Sequence, residues 1–289
     1  MNLFRILELK RYRLVGEKMN KQKLISLSKE IKKNIIEMIY EAKSGHPGGS
    51  LSCADIITYL YYETMKVSVE NPKDPNRDRF VLSKGHAAPA LYSVLAEKGY
   101  FPKEELKHLR KIGALLQGHP DSKHVPGVDV STGSLGQGIS NAVGMALGLR
   151  NQKNNAKIYV ILGDGELQEG LVWEASMAAA HYKLNNLVAI IDYNGLQIDG
   201  KNEEVMGVAP VDKKFESFGW NVIYCEDGND FDKIDQAFLS IDDTQEKPTV
   251  IIAKTVKGSG VSFMEDKAEW HGQAPNEEEK EKAIKDIMN

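Results

Sequence analysis

Cysteine and long apolar runs are both scarce in this chain of 289 residues. The two cysteines, Cys53 and Cys225, are too few for a disulfide framework or a zinc site, and they suit a reducing cytoplasm. We therefore predict that both are packing residues. No apolar run approaches the roughly 18 residues that a membrane span needs, so we expect a soluble, cytoplasmic protein without a membrane partner.

An excess of charge of one sign is also missing. The chain has 37 Lys and Arg residues against 41 Asp and Glu residues, which gives a net charge of −4. This balance supplies no sequence-wide basic field that would hold nucleic acid or an anionic membrane. An anionic ligand must therefore be held by a local site.

The first 18 residues differ in character from the rest of the chain. Charged residues such as Arg5, Glu8 and Lys10 interrupt each apolar stretch, so the segment fits neither a signal peptide nor a transit peptide. We expect residues 1–18 to be a frayed or non-native extension before Met19, with a basic helix lying on a membrane as the alternative. Residues 19–289 are predicted to form one domain.

The spacing of apolar residues predicts helices in the first part of the chain and alternating strands and helices in the second. Apolar residues three and four apart predict a helix over residues 24–45 with a stop at Gly45, and a second helix follows over residues 51–63. From residue 150 onward we predict strands at 158–162, 187–191, 220–224 and 249–253 and helices at 169–182 and 231–240. This order is typical of an α/β fold, with a mostly parallel sheet and helices on both faces.

Polar residues follow two of these predicted strands. Gly163-Asp164-Gly165 follows the strand at 158–162, and Asn194-Gly195-Leu196 follows the next strand. Because adjacent parallel strands end at the same edge of a sheet, Asp164 and Asn194 can converge there. Carboxylate, amide and carbonyl oxygens suit Mg²⁺ or Ca²⁺, and the glycines let a phosphate approach the backbone. The alternative is that Asp164 caps a helix and Asn194 takes a left-handed turn.

Histidines form a second candidate set. Four of the seven adjoin a glycine, namely His46, His86, His119 and His271, whereas 25 glycines in the chain would give only about one by chance. Histidines in glycine turns lie at loop tips, where the ring can reach a ligand. A third element, the segment STGSLGQG, places Gly133, Gly136 and Gly138 before a helix, which we interpret as a backbone loop lying against a ligand.

Together these residues resemble transketolase, specifically its amino-terminal, diphosphate-binding half. The matching blocks run from about residue 35 to residue 275 and are SGHPGGSLS, DRFVLSKGHAAPALYS, GHPDS, STGSLGQGISNAVGMALG, GDGELQEGLVWEA and DYNGLQIDG. Gly165 and Asn194 are separated by 28 residues, which matches the family's thiamine diphosphate signature of GDG, helix, strand and Asn. Several such blocks in one chain are highly specific.

The resemblance implies a single thiamine diphosphate-binding domain and a cofactor site. Asp164, Asn194 and the carbonyl of Leu196 would hold a Mg²⁺ or Ca²⁺ ion that bridges the diphosphate. His86 would neighbour the diphosphate. The remaining contacts implied for thiamine diphosphate come from Gly133, Ser134, Leu135, Gly165 and Asn194.

The resemblance also implies a substrate site. His46 and His119 would face the sugar hydroxyls, orient the ketose and shuttle protons at the carbonyl under attack. Glu169 matches the acidic residue that links two cofactor sites across the dimer interface. His271 is the only histidine kept from a His-rich segment of the full-length enzymes; it is assigned to the catalytic set, with packing beside Trp270 as the alternative.

In this family the cofactor lies between two chains or domains, and the second one holds the aminopyrimidine against a glutamate. The sequence shows no second α/β unit, so the resemblance implies a subunit of a split transketolase that is inactive alone. Its partner would be a separate carboxy-terminal subunit, in a heterotetramer. The implied reaction moves a two-carbon ketol unit between sugar phosphates, in the pentose phosphate pathway.

Three alternatives stay open at this point. The chain could belong to an enzyme like deoxyxylulose phosphate synthase, or to a split transketolase for a different sugar. It could also be a non-catalytic subunit that only binds thiamine diphosphate.

Overall fold

A computed structural model describes residues 19–289 of the chain, and the predicted extension at 1–18 lies outside the described residues. Five strands form one parallel sheet in the order β1-β2-β3-β7-β6. They are β1 (Arg79–Leu82), β2 (Ile158–Gly163), β3 (Leu187–Tyr193), β6 (Asn221–Cys225) and β7 (Thr249–Lys254). Two short strands, β4 (Leu196–Gln197) and β5 (Gly200–Lys201), pair as a separate antiparallel ribbon.

Helices cover both faces of this sheet. On one face lie α1 (Lys21–Ala42), α2 (Pro47–Tyr59), α3 (Ala88–Lys98), α8 (Phe231–Leu239) and α9 (Glu277–Met288). On the other lie α4 (Gln137–Asn151), α5 (Gly170–His181) and α7 (Val211–Phe218), and a one-turn helix α6 (Asn202–Val205) follows the ribbon. Among residues 19–289, no helix is both long and apolar enough to cross a membrane.

The interior strands β2, β3 and β7 are mostly apolar because they are buried on both faces, whereas the edge strand β6 is half-buried and exposes Tyr224. Along β2, Tyr159 and Ile161 face one core, while Ile158, Val160 and Leu162 face the other. Successive side chains of a strand point to opposite faces, so a continuous apolar run fills two cores at once. This confirms the predicted α/β fold with a parallel sheet between two helical layers.

The boundaries of the first two helices differ from the prediction. Helix α1 ends at Ala42, three residues before the predicted stop at Gly45, because Lys43 takes the left-handed conformation (φ 49°) and closes the last turn. Helix α2 begins at Pro47 rather than residue 51, with His46 as its N-cap, since proline suits the first helical position. Both cysteines are buried and unpaired, as predicted.

Helix α4 packs so closely on the end of β1 that one of its glycines cannot carry a side chain. A Cβ at Gly138 would lie 2.6 Å from the Cα of Ser83, whereas a Cβ at Gly144 in the same helix would meet nothing within 4 Å. We expect Gly138→Ala to lower the free energy of unfolding by about 1–3 kcal/mol through overpacking. Gly144→Ala, the matched control, should raise it by about 0.5–1 kcal/mol, because alanine favours a helix over glycine. Urea unfolding of the two variants measures both effects, and equal stabilities would contradict the close packing.

Candidate functional site

The two predicted turns meet at the carboxyl edge of the sheet. Asp164, after β2, is buried, and its carboxylate accepts hydrogen bonds from the backbone N–H of Gly165 (2.8 Å) and of Gly195 (2.5 Å). Gly195 lies in the turn after β3, so one carboxylate joins both turns. Burial, followed by the nearby charge of Asp192, raises the pKa of Asp164 above its usual range. A cation beside this carboxylate would offset both effects.

The turn after β3 presents two more oxygens at this edge. The amide of Asn194 donates to the Ser52 hydroxyl (3.1 Å), and its Oδ1 accepts from the N–H of Leu196 (3.1 Å). The carbonyl of Leu196 accepts from the ammonium group of Lys257 (3.4 Å). Gly195 has φ 78°, a left-handed conformation that glycine adopts without strain. Asp164, Asn194 and Leu196 are therefore neighbours, as the sequence predicted.

An unpartnered amide nitrogen beside Gly165 shows that this edge suits a polar ligand. The Nε2 of Gln197 is buried without a hydrogen-bond partner among the described residues, and the buried amide of Asn202 is so near Asp164 that, against the larger effect of burial, it helps to lower the pKa of that carboxyl. A Cβ on Gly165 would lie 3.2 Å from Gln197 Oε1 and 3.7 Å from Asn202 Oδ1, so both amides surround the glycine. Buried polar groups are normally paired, and an unpaired amide nitrogen indicates a missing partner. A metal ion held by oxygens, with a diphosphate against Gly165, fits these donors and acceptors.

A buried ion pair, between Lys84 and Asp192, lies at the same edge of the sheet. The ammonium group of Lys84 contacts the carboxylate of Asp192 and donates to the carbonyl of Gly49 (2.9 Å). Asp192 also accepts from the hydroxyls of Ser52 (2.6 Å) and Thr255 (2.5 Å). Burial, the largest single cause, lowers the pKa of Lys84, but the charge and hydrogen bond of Asp192, together with Cys53 and Asp164, raise it overall. The ends of β3 and β7 and helix α2 are thus fixed to one another.

Three of the predicted histidines form one cluster above the ion pair. The ring centroids of His46, His86 and His271 lie 5.2–5.4 Å apart. Lys257, which contacts the Leu196 carbonyl, also lies 3.0 Å from Nδ1 of His271. One lysine therefore bridges the turn after β3 and the histidine cluster. Trp270, the neighbour of His271, is buried against Phe263.

His119 lies at the rim of this cluster, against the glycine loop. A Cβ on Gly133 would lie 3.4 Å from the imidazole of His119, and the carbonyl of His119 accepts from the Tyr92 hydroxyl (2.7 Å). Ser134 and Leu135 follow Gly133 in the loop, and Ser134 is exposed. The loop after Gly133 and the histidine cluster therefore face the same space.

Glu166, which the sequence reasoning missed, anchors the glycine loop. Its buried carboxylate accepts from the Ser83 hydroxyl, from the N–H of Gly136 (2.8 Å) and from the N–H of Gly163 (3.0 Å). Burial raises its pKa despite these hydrogen bonds. Glu169, predicted at a dimer interface, is exposed. It also packs closely on the glycine loop, because a Cβ added to Gly136 would lie 2.9 Å from the Cβ of Glu169.

The histidines are held neutral by their surroundings. Burial is the main cause, and neighbouring cations add to it: the pKa of His46 falls to about 4 and that of His271 to about 3. The pKa values of His86 and His119 are lowered in the same way. Lys257 has its pKa lowered to about 8 by burial and by Lys84. A neutral imidazole offers one N–H that donates a hydrogen bond and one ring nitrogen that accepts one.

Several residues of this site escaped the sequence reasoning: Lys84, Lys257, Asn202, Glu166 and Arg110. Lys84 lies two residues before His86 and Glu166 lies two residues after Asp164, so both had a local signal. Lys257 and Arg110 contact the site from more distant parts of the chain.

Known proteins resemble this chain along nearly its whole length. Residues 23–288 match the family described as transketolase, thiamine diphosphate binding domain. The chain is 45% identical over 260 residues to an apulose-4-phosphate transketolase subunit of Phocaeicola vulgatus, covering 90% of this chain and 92% of that one. It is 44% identical over 257 residues to 6-deoxy-6-sulfo-D-fructose transketolase subunit SqwG of a Clostridium species, covering 89% and 93%.

Full-length transketolases match over their shared part only. Human transketolase is 43% identical over 279 residues, which are 94% of this chain and 44% of the human protein. The crystal structure of transketolase from Campylobacter jejuni superposes with a TM-score of 0.88 at 36% identity, covering 93% of this chain and 43% of that one. The chain thus spans less than half the length of the full-length enzymes. On the family match and these identities, it belongs to the thiamine diphosphate-binding domain family of the transketolases.

Proposed function

We propose that this chain is the diphosphate- and metal-binding subunit of a two-subunit transketolase, which moves a two-carbon ketol unit from a ketose phosphate to an aldose phosphate. The observation that carries the proposal is the junction of the two turns through the Asp164 carboxylate, together with Lys257, which links the turn after β3 to a cluster of neutral histidines. A cofactor edge and a polar substrate edge therefore adjoin in one chain.

In this proposal the oxygens of Asp164, Asn194 and Leu196 hold a Mg²⁺ or Ca²⁺ ion. The ammonium group of Lys257 lies 3.4 Å from the Leu196 carbonyl, so it would have to release this oxygen when the ion binds. The amide oxygen of Asn202 lies beside Gly165 and supplies a further polar group there. Thiamine diphosphate, when bound, supplies the nucleophilic carbon that attacks the ketose. Gly133, Ser134, Leu135 and His86 line the space proposed for this cofactor.

The histidines have the positioning role in this proposal. His46 and His119 face the sugar, where the N–H of a neutral ring can donate to a hydroxyl or to the oxygen of the reacting carbonyl and help to pass a proton to it. His271 joins them, because its ring contacts those of His46 and His86 and Lys257 holds its Nδ1. Packing beside Trp270 alone would not require these ring contacts.

A separate subunit completes the site in this proposal. The relatives that match this chain over more than nine tenths of their own length are named as subunits. We propose a carboxy-terminal partner that supplies the pyrimidine site and its glutamate, in a heterotetramer in which exposed Glu169 lies at the interface. The sugar-phosphate substrate remains one of several, since those two relatives are named for different sugars. If its substrates are common sugar phosphates, the enzyme acts in the pentose phosphate pathway, in the cytoplasm.

Reconstitution tests the proposal. We expect thiamine diphosphate-dependent transfer of glycolaldehyde from a ketose phosphate when the chain is coexpressed with a polypeptide similar to the carboxy-terminal part of transketolase, and none from either chain alone. His119→Ala separates catalysis from mere binding, since it should reduce turnover while calorimetric binding of the cofactor persists. A reconstituted complex that binds the cofactor but transfers nothing would favour the non-catalytic alternative. A reconstituted complex that is active only with a donor other than a ketose phosphate would favour the alternative of an enzyme like deoxyxylulose phosphate synthase.

A further inference from the structure

Arg110 reaches the histidine cluster from a loop that none of the predicted site motifs contains. It follows the turn at Lys103–His108, has φ 60°, and its N–H donates to the carbonyl of Leu116 (2.8 Å), which closes the loop. The guanidinium lies against Gly118, whose added Cβ would be 3.1 Å from Arg110 Cζ. Arg110 therefore lies between the loop of His119 and the start of helix α2.

The guanidinium has two side-chain partners in the described chain, and neither is a carboxylate. Nη1 donates to the hydroxyl of Ser44 (2.9 Å), and Nη2 lies 3.4 Å from Nδ1 of His46. A guanidinium has only donors and stays charged in proteins. Nδ1 of His46 must therefore accept, so it carries no proton. In a neutral ring the proton is then on Nε2.

The opposite side of the His46 ring faces the site. A Cβ on Gly272 would lie 3.8 Å from His46 Nε2, and the ring contacts those of His86 and His271. The protonated nitrogen, Nε2, is therefore on the side of the ring that faces the histidine cluster. The backbone carbonyl of His46 accepts from both the N–H (3.2 Å) and the hydroxyl (2.7 Å) of Ser50, which fixes the main chain as well.

We propose that Arg110 is a positioning residue, which holds His46 in the neutral form with its proton on Nε2 and so presents one hydrogen-bond donor to the sugar substrate. The assignment of the sugar rests on the proposed function, but the state of the ring does not. Without such a donor an imidazole can exchange its two neutral tautomers or take up a second proton.

The electrostatics agree with this geometry. After burial, the charge of Arg110 is the largest cause that lowers the pKa of His46, ahead of His119, Lys257 and Lys84, which face the ring from other elements. The same guanidinium is the second cause, after burial, of the lowered pKa of His119. Arg110 thus acts on both histidines proposed to face the sugar.

Nitrogen NMR of the full chain, without partner or cofactor, tests the state of the ring. With ¹⁵N-labelled histidine, His46 of the wild-type chain should show an unprotonated Nδ1 and a protonated Nε2 near neutral pH. In Arg110→Met the Nδ1 signal should shift toward the protonated value, and the ring should titrate at a higher pH. The control is Lys111→Met, which removes a cation from the exposed neighbouring position and should leave both signals unchanged.

Kinetics of the reconstituted enzyme test the consequence. Arg110→Met should lower kcat/KM for the ketose donor about 10-fold through loss of orientation, with the affinity for thiamine diphosphate unchanged. A wild-type His46 protonated on Nδ1, or an Arg110→Met chain whose His46 signals and titration match the wild type, would overturn the proposal. Since the NMR measurement needs no turnover, failure of the transketolase assay alone would contradict the proposed function and leave the assignment of Arg110 intact.

Discussion

Asp164→Asn should weaken metal-dependent binding of thiamine diphosphate by at least about 100-fold, since even indirect supports of a metal ligand contribute 10–100-fold to affinity. The asparagine has nearly the same shape but no charge for the metal. It keeps one of the two oxygens, so one of the backbone N–H groups of Gly165 (on Oδ1) and Gly195 (on Oδ2) loses its acceptor while the other keeps it. The apo chain should remain folded, because burial already opposes the charge of this carboxylate.

Calorimetric titration of the reconstituted complex with thiamine diphosphate, with Mg²⁺ or with EDTA, measures this effect. Wild-type protein in EDTA should behave like the variant in Mg²⁺, because each lacks one half of the metal contact. Asp266→Asn is the matched control: Asp266 is exposed and has φ 54°, a left-handed conformation that asparagine also tolerates. Mg²⁺-dependent binding of equal strength in Asp164→Asn and Asp266→Asn would exclude Asp164 as a metal ligand.

Lys84→Met should lower the free energy of unfolding of the chain by about 3–5 kcal/mol, the usual cost of leaving a buried charge without its partner. Asp192 is fully buried, and without Lys84 only the hydroxyls of Ser52 and Thr255 would remain on its carboxylate. Asp192→Asn should also be destabilising, because it would leave the buried ammonium group of Lys84 without its carboxylate partner. The double variant should recover much of the loss, since it leaves no buried charge at this position.

Urea unfolding of the wild type, both single variants and the double variant gives the coupling energy. The exposed ion pair between Lys183 and Glu246 (2.6 Å) is the control, because each side chain is more than 60% exposed. Lys183→Met should change stability by no more than about 1 kcal/mol. A coupling energy between Lys84 and Asp192 as small as that of this surface pair would show that the buried pair does not hold the strand ends together.

The sequence predicted those parts of the site that depend on neighbours along the chain. The apolar runs at β2 and β3 indicated adjacent parallel strands, and their ends placed Asp164 and Asn194 at one edge. Glycine neighbours marked the four histidines, although only His119 is exposed and the other three are half-buried. These signals are local or follow from a general rule of parallel sheets.

The parts that escaped prediction depend on contacts between distant residues. Lys84 and Asp192 are 108 residues apart, and Lys257 is 61 residues from the Leu196 carbonyl. Lysine is usually a surface residue, so composition suggests no buried role for either. Arg110 escaped because its loop carries no motif, and its contact to His46 spans 64 residues. The start of α2 was predicted too late because Gly48 and Gly49 are typical of a turn. In the structure they lie in the first turn of the helix, which begins at Pro47.

The strand order has a consequence for how the protein is made. Strand β7, the last in the sequence, pairs with both β3 and β6 and so takes an interior position in the sheet. During synthesis, the edge of β3 must wait for residues 249–254 before it is paired, and Thr255 reaches Asp192 only then. Parallel pairings between distant segments form slowly and leave apolar strand edges open meanwhile. The carboxyl edge of the sheet, where the turns after β2 and β3 meet, is therefore completed late. A nascent chain stalled before β7 would leave the edge of β3 unpaired and prone to aggregation.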